Sequence, residues 1–421
     1  MTVSKKNTRD RSRKIPASAP GEVFWKRGYV LLCVILLCLT AVQLCSFVLS
    51  DPRSGWDYRV YAATVQSINN GEDPYLLPTI SQYTGESIPF NYAPHSLLFL
   101  WCLQFFYLFQ SIWIYYAFLV PFLIASGYII INLDQKPQYL FFITLAVTGF
   151  MGTFWNFITG NKEILFLFLF AVIFYLLVQE KFWQSSIVLG FMGSFTLVTL
   201  PFTALYLVIH RPIVQRVQYI VLSVSVVAAI FLITWLIHPA LFASYSTTFQ
   251  GSTSALSEPS GKSTPTPFLL FGVLVNQTNG ISIPLILVSL AYICFILGAS
   301  WYAIRKNQEN ALKVYSLAML AIFMLLPRIK PYYFIVLAIP LYFLFKDCRY
   351  KIKILVVTVI SLLPLFLWYF QSFSRYYPEI YQRGPIPYLI AEYAQTVSLF
   401  LIFALTIALA YYRPVSPSSH S

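Results

Sequence analysis

Runs of about twenty apolar residues recur along this chain, and they restrict its fold more than any other feature. Residues 217–237 and 283–304, for example, contain no acidic or basic side chain. In a bilayer the backbone must satisfy its own hydrogen bonds, so only helices and closed barrels can span it. These runs lack the alternation of barrel strands, and we therefore predict an all-α polytopic membrane protein.

The composition agrees with this interpretation. Apolar residues make up 58% of the 421 residues, charged residues make up only 10%, and the mean hydropathy is +0.70. A soluble globular chain of this length does not have such a composition. The fold class is therefore a transmembrane helical bundle.

About twelve segments have the length and apolar character of membrane spans. They are predicted at 28–49, 92–109, 112–132, 139–158, 163–179, 185–209, 217–237, 283–304, 311–327, 332–345, 352–371 and 388–411.

The net charge of +13 is explained by topology rather than by nucleic-acid binding. Much of it lies in the N-terminal tail, and basic connectors follow at 210–216, 305–313 and 346–353. Short basic segments stay on the cytoplasmic side of a membrane. Both termini are therefore predicted to be cytoplasmic, with the membrane as a partner and no nucleic acid.

This topology predicts one integral-membrane domain, at 28–412, between cytoplasmic tails at 1–27 and 413–421. Four outer loops follow from it, at 51–91, 238–282, 327–331 and 372–387. The turn at 160–163 has two possible sides, because a re-entrant segment before it would move it from the inner side to the outer one.

The first outer loop carries the strongest functional signal. Asp57 stands between Trp56 and Tyr58, where a span meets water. One interpretation is structural: Asp57 caps an interfacial helix that ends at Gly71. The other is functional, because a carboxylate at an aromatic membrane boundary can act on a substrate there. The turn Asp73-Pro74-Tyr75 then leads back toward lipid.

The chain resembles glycosyltransferase family 87, within the C superfamily of integral-membrane glycosyltransferases. The resemblance covers most of the chain, and the order of its motifs carries it. The motifs are Asp57-Tyr58-x-Val60-Tyr61, Gly71-x-Asp73-Pro74-Tyr75, Phe90-Asn91-Tyr92-x-Pro94, Gly160-Asn161-x-Glu163, Thr199-Leu200-Pro201 and Pro327-Arg328-x-Lys330-x-Tyr332.

Two positions depart from the family pattern. The family usually has Gly-Gln where this chain has Gly160-Asn161, and often a lysine where Thr199 stands. Both departures bear on which substrate is bound.

The resemblance implies transfer of a hexose, similar to mannose, from a polyprenyl-phosphate carrier to a lipid or glycan acceptor. The reaction would take place at the outer face of a bacterial plasma membrane, with inversion at the anomeric carbon and without a cofactor. The acceptor hydroxyl must lose a proton as it attacks, and a carboxylate is a suitable general base. Asp57 is the predicted catalytic residue.

The motifs also predict which residues contact the substrate. In the first loop and the re-entry after it, these are Tyr58, Tyr61, Asp73, Tyr75, Asn91 and Tyr92.

Arg328 and Lys330 are the candidates for binding the donor phosphate. They lie in a short turn between two prolines, on the same predicted side as Asp57, and cations there oppose the positive-inside trend. Arginine can bind phosphate with two hydrogen bonds. The alternative is that both side chains merely anchor helix ends at the interface.

Four other candidates have equally plain alternatives. Tyr332 either stacks on a sugar or marks the interface. Asn161 and Glu163 bind sugar hydroxyls if their turn faces outward, and otherwise Glu163 forms an ordinary helix-end pair with Lys162. His95 either hydrogen-bonds a substrate or serves the start of its helix.

No metal is predicted, because Asp57 and Asp73 are too far apart in sequence for a compact acidic pair and no histidine cluster accompanies them. Two rival functions stay open: a lipid or glycan transporter, and an inactive relative that binds glycolipid. A transporter would place ionisable residues in mid-helix and show repeats. Here the charges gather at helix ends.

Overall fold

The computed structural model describes residues 20–50, 54–85, 90, 92–97, 100, 111–251, 264–275, 282–374 and 390–411. Within these ranges the chain is helical and no strand occurs. The all-α prediction is therefore confirmed. Both predicted tails and much of the predicted loops fall outside the described ranges, so the domain boundaries stay a prediction.

The α-helices are numbered here in chain order. They are α1 (Pro20–Ser50), α2 (Trp56–Asn69), α3 (Leu77–Thr84), α4 (Ile112–Asn132), α5 (Tyr139–Thr148), α6 (Gly152–Thr159), α7 (Glu163–Val178), α8 (Phe182–Phe195), α9 (Ile213–Ile237), α10 (Pro239–Gly251), α11 (Pro267–Leu274), α12 (Ile283–Lys306), α13 (Ala311–Met324), α14 (Ala338–Phe345), α15 (Tyr350–Val357), α16 (Leu363–Ser374) and α17 (Ala394–Tyr411). Short 3₁₀-helices occur at Pro94–Ser96, Gly149–Met151, Leu197–Val208 and Pro331–Leu337, and a π-helix at Thr358–Leu362.

Seven helical segments are long and apolar enough to cross a bilayer. They are Gly21–Leu49, Ile112–Asn132, Tyr139–Thr159, Ile213–Ile237, Ile283–Lys306, Tyr350–Phe370 and Ala394–Tyr411. Four further apolar segments are shorter: Glu163–Val178, Leu197–Val208, Ala311–Met324 and Pro331–Phe345. Most of the predicted span 92–109 lies outside the described residues. The count of twelve therefore stays a prediction.

The continuous helix predicted at 185–209 is wrong. Helix α8 ends at Phe195, Thr196 is extended, and residues Leu197–Val208 form a 3₁₀-helix. Pro201 lies inside this second segment. Proline lacks an N–H group and so removes the α-helical hydrogen bond to the carbonyl of Leu197, which disfavours a regular α-helix in this segment.

A close backbone approach places the segment after α13 against α6. A Cβ atom at Gly152 would lie 2.7 Å from the backbone nitrogen of Ile335, so glycine allows this contact. The Asn156 side chain, buried in α6, donates a hydrogen bond of 3.0 Å to the carbonyl of Tyr332. These contacts hold the start of the Pro331–Leu337 segment beside the turn that follows α6.

A polar network joins the connector after α4 to the end of α14. Lys346 Nζ lies 2.5 Å from one carboxylate oxygen of Asp134, and Tyr342 donates a hydrogen bond of 2.8 Å to the other. Gln138 donates through its side chain to the Lys346 carbonyl at 2.7 Å. The network lies at the far end of α5 and α6 from Thr159, so it ties the bundle at the end opposite the turn at 160–162.

Candidate functional site

The start of α2 lies directly against the end of α6. The backbone N–H of Gly55 donates a hydrogen bond of 2.6 Å to the carbonyl of Ile158. Gly160 has a φ of +69°, and a Cβ atom there would lie 2.6 Å from the Cβ of Tyr58. Only glycine suits both its left-handed backbone and this contact. The first loop and the turn at 160–162 therefore share one end of the bundle.

Asp57 is not the cap of α2, contrary to the structural interpretation of the sequence. The N-cap position is Gly55, with a φ of 78°, and no side chain caps the helix. Asp57 is the second residue of α2, and its carboxylate is directed across the packing contact rather than toward its own helix end. The predicted end is correct, because α2 finishes at Asn69 and Gly71 has a φ of +74°.

Asn161 connects Asp57 to the aromatic residues of the first loop. Its side-chain nitrogen donates a hydrogen bond of 2.7 Å to Asp57 Oδ2. Its side-chain oxygen accepts from the Tyr61 hydroxyl at 3.3 Å and from the backbone N–H of Lys162 at 2.7 Å. The Tyr61 and Tyr92 hydroxyls lie 2.8 Å apart. Because two donors face the side-chain oxygen of Asn161, its side-chain nitrogen is the atom directed toward Asp57.

Lys162 places a buried positive charge in the same cluster. The residue is 1% exposed, and its Nζ lies 3.7 Å from the ring centroid of Tyr92 and 5.2 Å from that of Tyr61. These are cation–π distances. Burial lowers the pKa of Lys162, against the opposing effect of Glu163 and Asp57.

Glu163 is the first residue of α7 and is fully buried. Its carboxyl group faces the backbone N–H groups at the start of that helix. Neither oxygen makes a well-formed hydrogen bond with the described residues. Glu163 therefore adds a second carboxyl group beside Lys162, but one with poorer hydrogen bonding than that of Asp57.

The electrostatic surroundings of Asp57 suit a proton acceptor. Burial raises the pKa of Asp57 to about 6, while the hydrogen bond from Asn161 and the positive charges of Lys162 and Lys330 oppose that shift. A base works best when its pKa lies near the working pH. The residue as a whole is half-buried.

The turn after α13 contributes to the same region. Lys330 acts electrostatically on Asp57, and Tyr332 interacts with both Asp57 and Tyr92. Arg328 acts on Tyr333, whose ring centroid lies 5.1 Å from that of Tyr332. The structure thus brings Lys330 and Tyr332 within electrostatic range of Asp57, with Arg328 two residues before Lys330 in the turn.

The remaining first-loop candidates mainly shape this end of the bundle. Asp73 accepts a hydrogen bond of 2.9 Å from the backbone N–H of Tyr75, which forms the predicted turn. The Tyr75 hydroxyl donates to the carbonyl of Tyr92 at 2.9 Å and so supports that residue. The Tyr58 ring packs on Tyr115, with 5.1 Å between centroids.

The two last candidates are less informative. His95 is 3% exposed, with its ring 5.7 Å from that of Phe231 and its Nδ1 atom without a hydrogen-bond partner in the described part of the chain. Asn91 lies outside the described residues. Substrate contact by either one stays a prediction.

The ranges that the structure describes contain no group of three histidine, cysteine, aspartate or glutamate side chains placed to hold a metal ion. The prediction of metal-independent chemistry is therefore left for experiment. What the arrangement offers is a hydrogen-bonded carboxylate with two cations acting on it, at an end of the bundle lined by tyrosines.

Sequence reasoning missed the role of Lys162 and the contact between Asn161 and Asp57. Both residues follow Gly160, in a turn between two apolar helices. An ionisable Lys-Glu pair is costly there, and that cost was the available signal. The sequence alone could not show that this turn packs against the first loop.

Comparison with known proteins gives one result. The model of glycosyltransferase family 87 matches residues 90–327, which is more than half of the chain. The match includes the turn at 160–163 and ends next to Arg328, while Asp57 precedes it. No curated protein and no solved structure matches the chain.

Proposed function

The chain belongs to glycosyltransferase family 87, and we propose that it transfers a hexose similar to mannose from a polyprenyl-phosphate carrier to a lipid or glycan acceptor. The family and the seven apolar helices make it a membrane glycosyltransferase. The observation that most supports the finer proposal is the hydrogen bond of 2.7 Å from Asn161 to Asp57, because it orients a carboxylate beside two cations.

In the proposed reaction Asp57 is the general base. It takes the proton of an acceptor hydroxyl as that oxygen forms a bond to the anomeric carbon of the sugar. The bond between this carbon and the phosphate oxygen breaks, and the phosphate leaves with the electron pair. Attack from the face opposite the phosphate inverts the anomeric carbon. A carboxylate with a pKa of about 6 can accept this proton near neutral pH.

Arg328 and Lys330 are proposed to bind the donor phosphate. The leaving phosphate gains negative charge, and cations fixed near it stabilise the transition state. Lys330 is close enough to Asp57 for the two charges to interact. A sugar bound between base and cation would then present its anomeric carbon to the acceptor.

The aromatic side chains complete the proposal. Tyr61, Tyr92 and Tyr332 surround the charged cluster and could contact the sugar. We place this end of the bundle at the outer membrane face, following the basic connectors of the opposite end. A carrier lipid could then stay in the bilayer while its head group reaches Asp57.

The direct test is sugar transfer by the purified protein in liposomes. Labelled polyprenyl-phosphate mannose is supplied with glycolipids extracted from cells that lack the protein, and labelled products are analysed. We expect a product with an inverted anomeric carbon from the unaltered protein and from Glu72→Gln, an exposed carboxylate of the same loop. Asp57→Asn should lose transfer by about 10²–10⁴-fold and should remain folded, with a cooperative thermal unfolding transition.

Other results would favour the rival functions. Movement of intact lipid-linked sugar between leaflets, unaffected by Asp57→Asn, would indicate a transporter. Binding of glycolipid without any product, in every variant, would indicate an inactive relative.

A further inference from the structure

Lys162 is held in an unusual environment for a lysine. Its ammonium group packs on the faces of Tyr92 and Tyr61, and the residue is 1% exposed. The ion pairs within the described part of the chain do not include it. A buried cation that touches aromatic rings rather than a carboxylate needs its balancing charge nearby.

Two carboxyl groups can supply that charge. Glu163 and, less strongly, Asp57 are the negative groups that act on Lys162. Three buried charges cost more than two, so one anion and one cation form the favourable arrangement. Asp57 accepts the hydrogen bond from Asn161, whereas both Glu163 oxygens lack a well-formed bond to the described residues. Hydrogen bonding stabilises the ionised form, and Asp57 is therefore the group that ionises.

We propose that Lys162 is a positioning residue for Asp57: its buried positive charge keeps the Asp57 carboxylate ionised, while Glu163 stays neutral. The proposal rests on the proposed role of Asp57 as the general base. In it, Lys162 acts through Asp57 and does not touch the reacting atoms. One turn carries both Asn161 and Lys162, so the hydrogen bond to Asp57 and the positive charge come from neighbouring residues.

Several other groups face this cluster and have to be considered in any pH experiment. Lys330 is a second cation that acts on Asp57, so removal of Lys162 should weaken the stabilisation of the carboxylate without abolishing it. The remaining groups are phenols, which are neutral near pH 7. They are Tyr61, Tyr92, Tyr332 and Tyr333.

The first experiment measures the pH dependence of kcat/KM with polyprenyl-phosphate mannose as the donor. In Lys162→Met, we expect the acid limb to move up by about one pH unit or more, because Asp57 loses the cation that acts on it most strongly. For a shift of one unit, the rate should fall by about twofold at pH 7 and by roughly tenfold at pH 5, and it should recover at higher pH. Lys162→Arg should keep the original acid limb.

The matched control is Glu163→Gln, which removes a carboxyl group that the proposal treats as neutral. Its acid limb should stay where it is in the unaltered protein. The proposal is overturned if Lys162→Met leaves the acid limb in place, or if Glu163→Gln moves it as far as Lys162→Met does. A lysine that only packs on two rings would change the rate without moving the limb.

The second experiment needs no turnover. Thermal unfolding temperatures of the detergent-purified protein are compared for Asp57→Asn, Lys162→Met and the double variant at pH 7. We expect the double variant to unfold at a higher temperature than the sum of the two single changes predicts, because each single change leaves the other charge buried without its partner.

These measurements distinguish the two levels of the proposal. Additive changes in unfolding temperature would overturn the pairing of Lys162 with Asp57, whatever the protein transfers. Non-additive changes in a protein that transfers no sugar would overturn the proposed function and leave the pairing of the charges intact.

Discussion

The side-chain amide of Asn161 donates a hydrogen bond of 2.7 Å to the carboxylate of Asp57, across 104 positions of sequence. This contact links the first loop to the turn between α6 and α7. The other side of the amide is occupied by the Tyr61 hydroxyl and the backbone N–H of Lys162. Asn161 therefore acts on the orientation of Asp57, rather than only on a sugar hydroxyl as its position in the motif suggested.

Transfer by the unaltered protein should depend on pH through Asp57. The carboxylate must be ionised to accept a proton, and its pKa is about 6 in the free protein. We therefore expect kcat/KM to be level above this value and to fall about tenfold per pH unit below it. The measurement is a pH profile with donor well below its KM. A profile that stays flat down to pH 5 would contradict a base with this pKa.

The substitution Asn161→Asp should raise the pKa of Asp57. It replaces the amide donor by a second carboxylate at hydrogen-bond distance, and two such groups do not both ionise readily. The acid limb of kcat/KM should move up by about one unit or more. Asn70→Asp provides the control, because Asn70 is an exposed residue at the end of α2. An equal shift in both variants would point to a general charge effect.

Stability should depend on pH through the same group. The pKa of Asp57 is raised from 3.8 to about 6 on folding, so the folded protein holds this proton more tightly than the unfolded one. The contribution of Asp57 to stability is therefore present at low pH and is lost as pH rises from about 4 to about 6. The thermal unfolding temperature of Asp57→Asn, relative to the unaltered protein, should rise over this interval. A constant difference would contradict the raised pKa.

Gly160→Ala should loosen the packing on which the site depends. The new methyl group would meet the Cβ of Tyr58 and would force a side chain into a left-handed backbone. We expect a loss of about 1–3 kcal/mol in the free energy of unfolding, together with weaker transfer. Gly298→Ala is the matched control, because a Cβ atom there meets nothing within 4 Å and the residue lies inside α12. That change should be neutral or slightly stabilising.

The parts of the fold that follow from local chemistry could be predicted from the sequence. The apolar run at 112–132 is the helix Ile112–Asn132, and Asp73 forms the turn with Tyr75 that its residue type predicts. The break at Thr196 was missed because the apolar pattern continues through it, although a proline at position 201 is typical of an interrupted helix.

The site could be predicted only in part, for a physical reason. Asp57 was predicted from its place between Trp56 and Tyr58 where a span meets water, and Lys330 because a cation there opposes the positive-inside trend. Their relation to Lys162 depends on the packing of Gly55 and Gly160 against neighbouring segments. No local pattern encodes a contact between segments that lie about a hundred residues apart.

Arg328→Gln and Lys330→Gln test the proposed phosphate site against the anchoring alternative. If the cations stabilise the leaving phosphate, each change should lower kcat/KM for the donor by about 10–10³-fold, with little change in the thermal unfolding temperature. Arg305→Gln is the control, because Arg305 stacks on Trp301 at 4.1 Å in the last turn of α12, which precedes α13, whereas Arg328 and Lys330 follow α13. Side chains that only anchor helix ends would give the reverse result, with a lower unfolding temperature and an unchanged kcat/KM in the protein that remains folded. The measurement therefore requires both quantities from the same preparations.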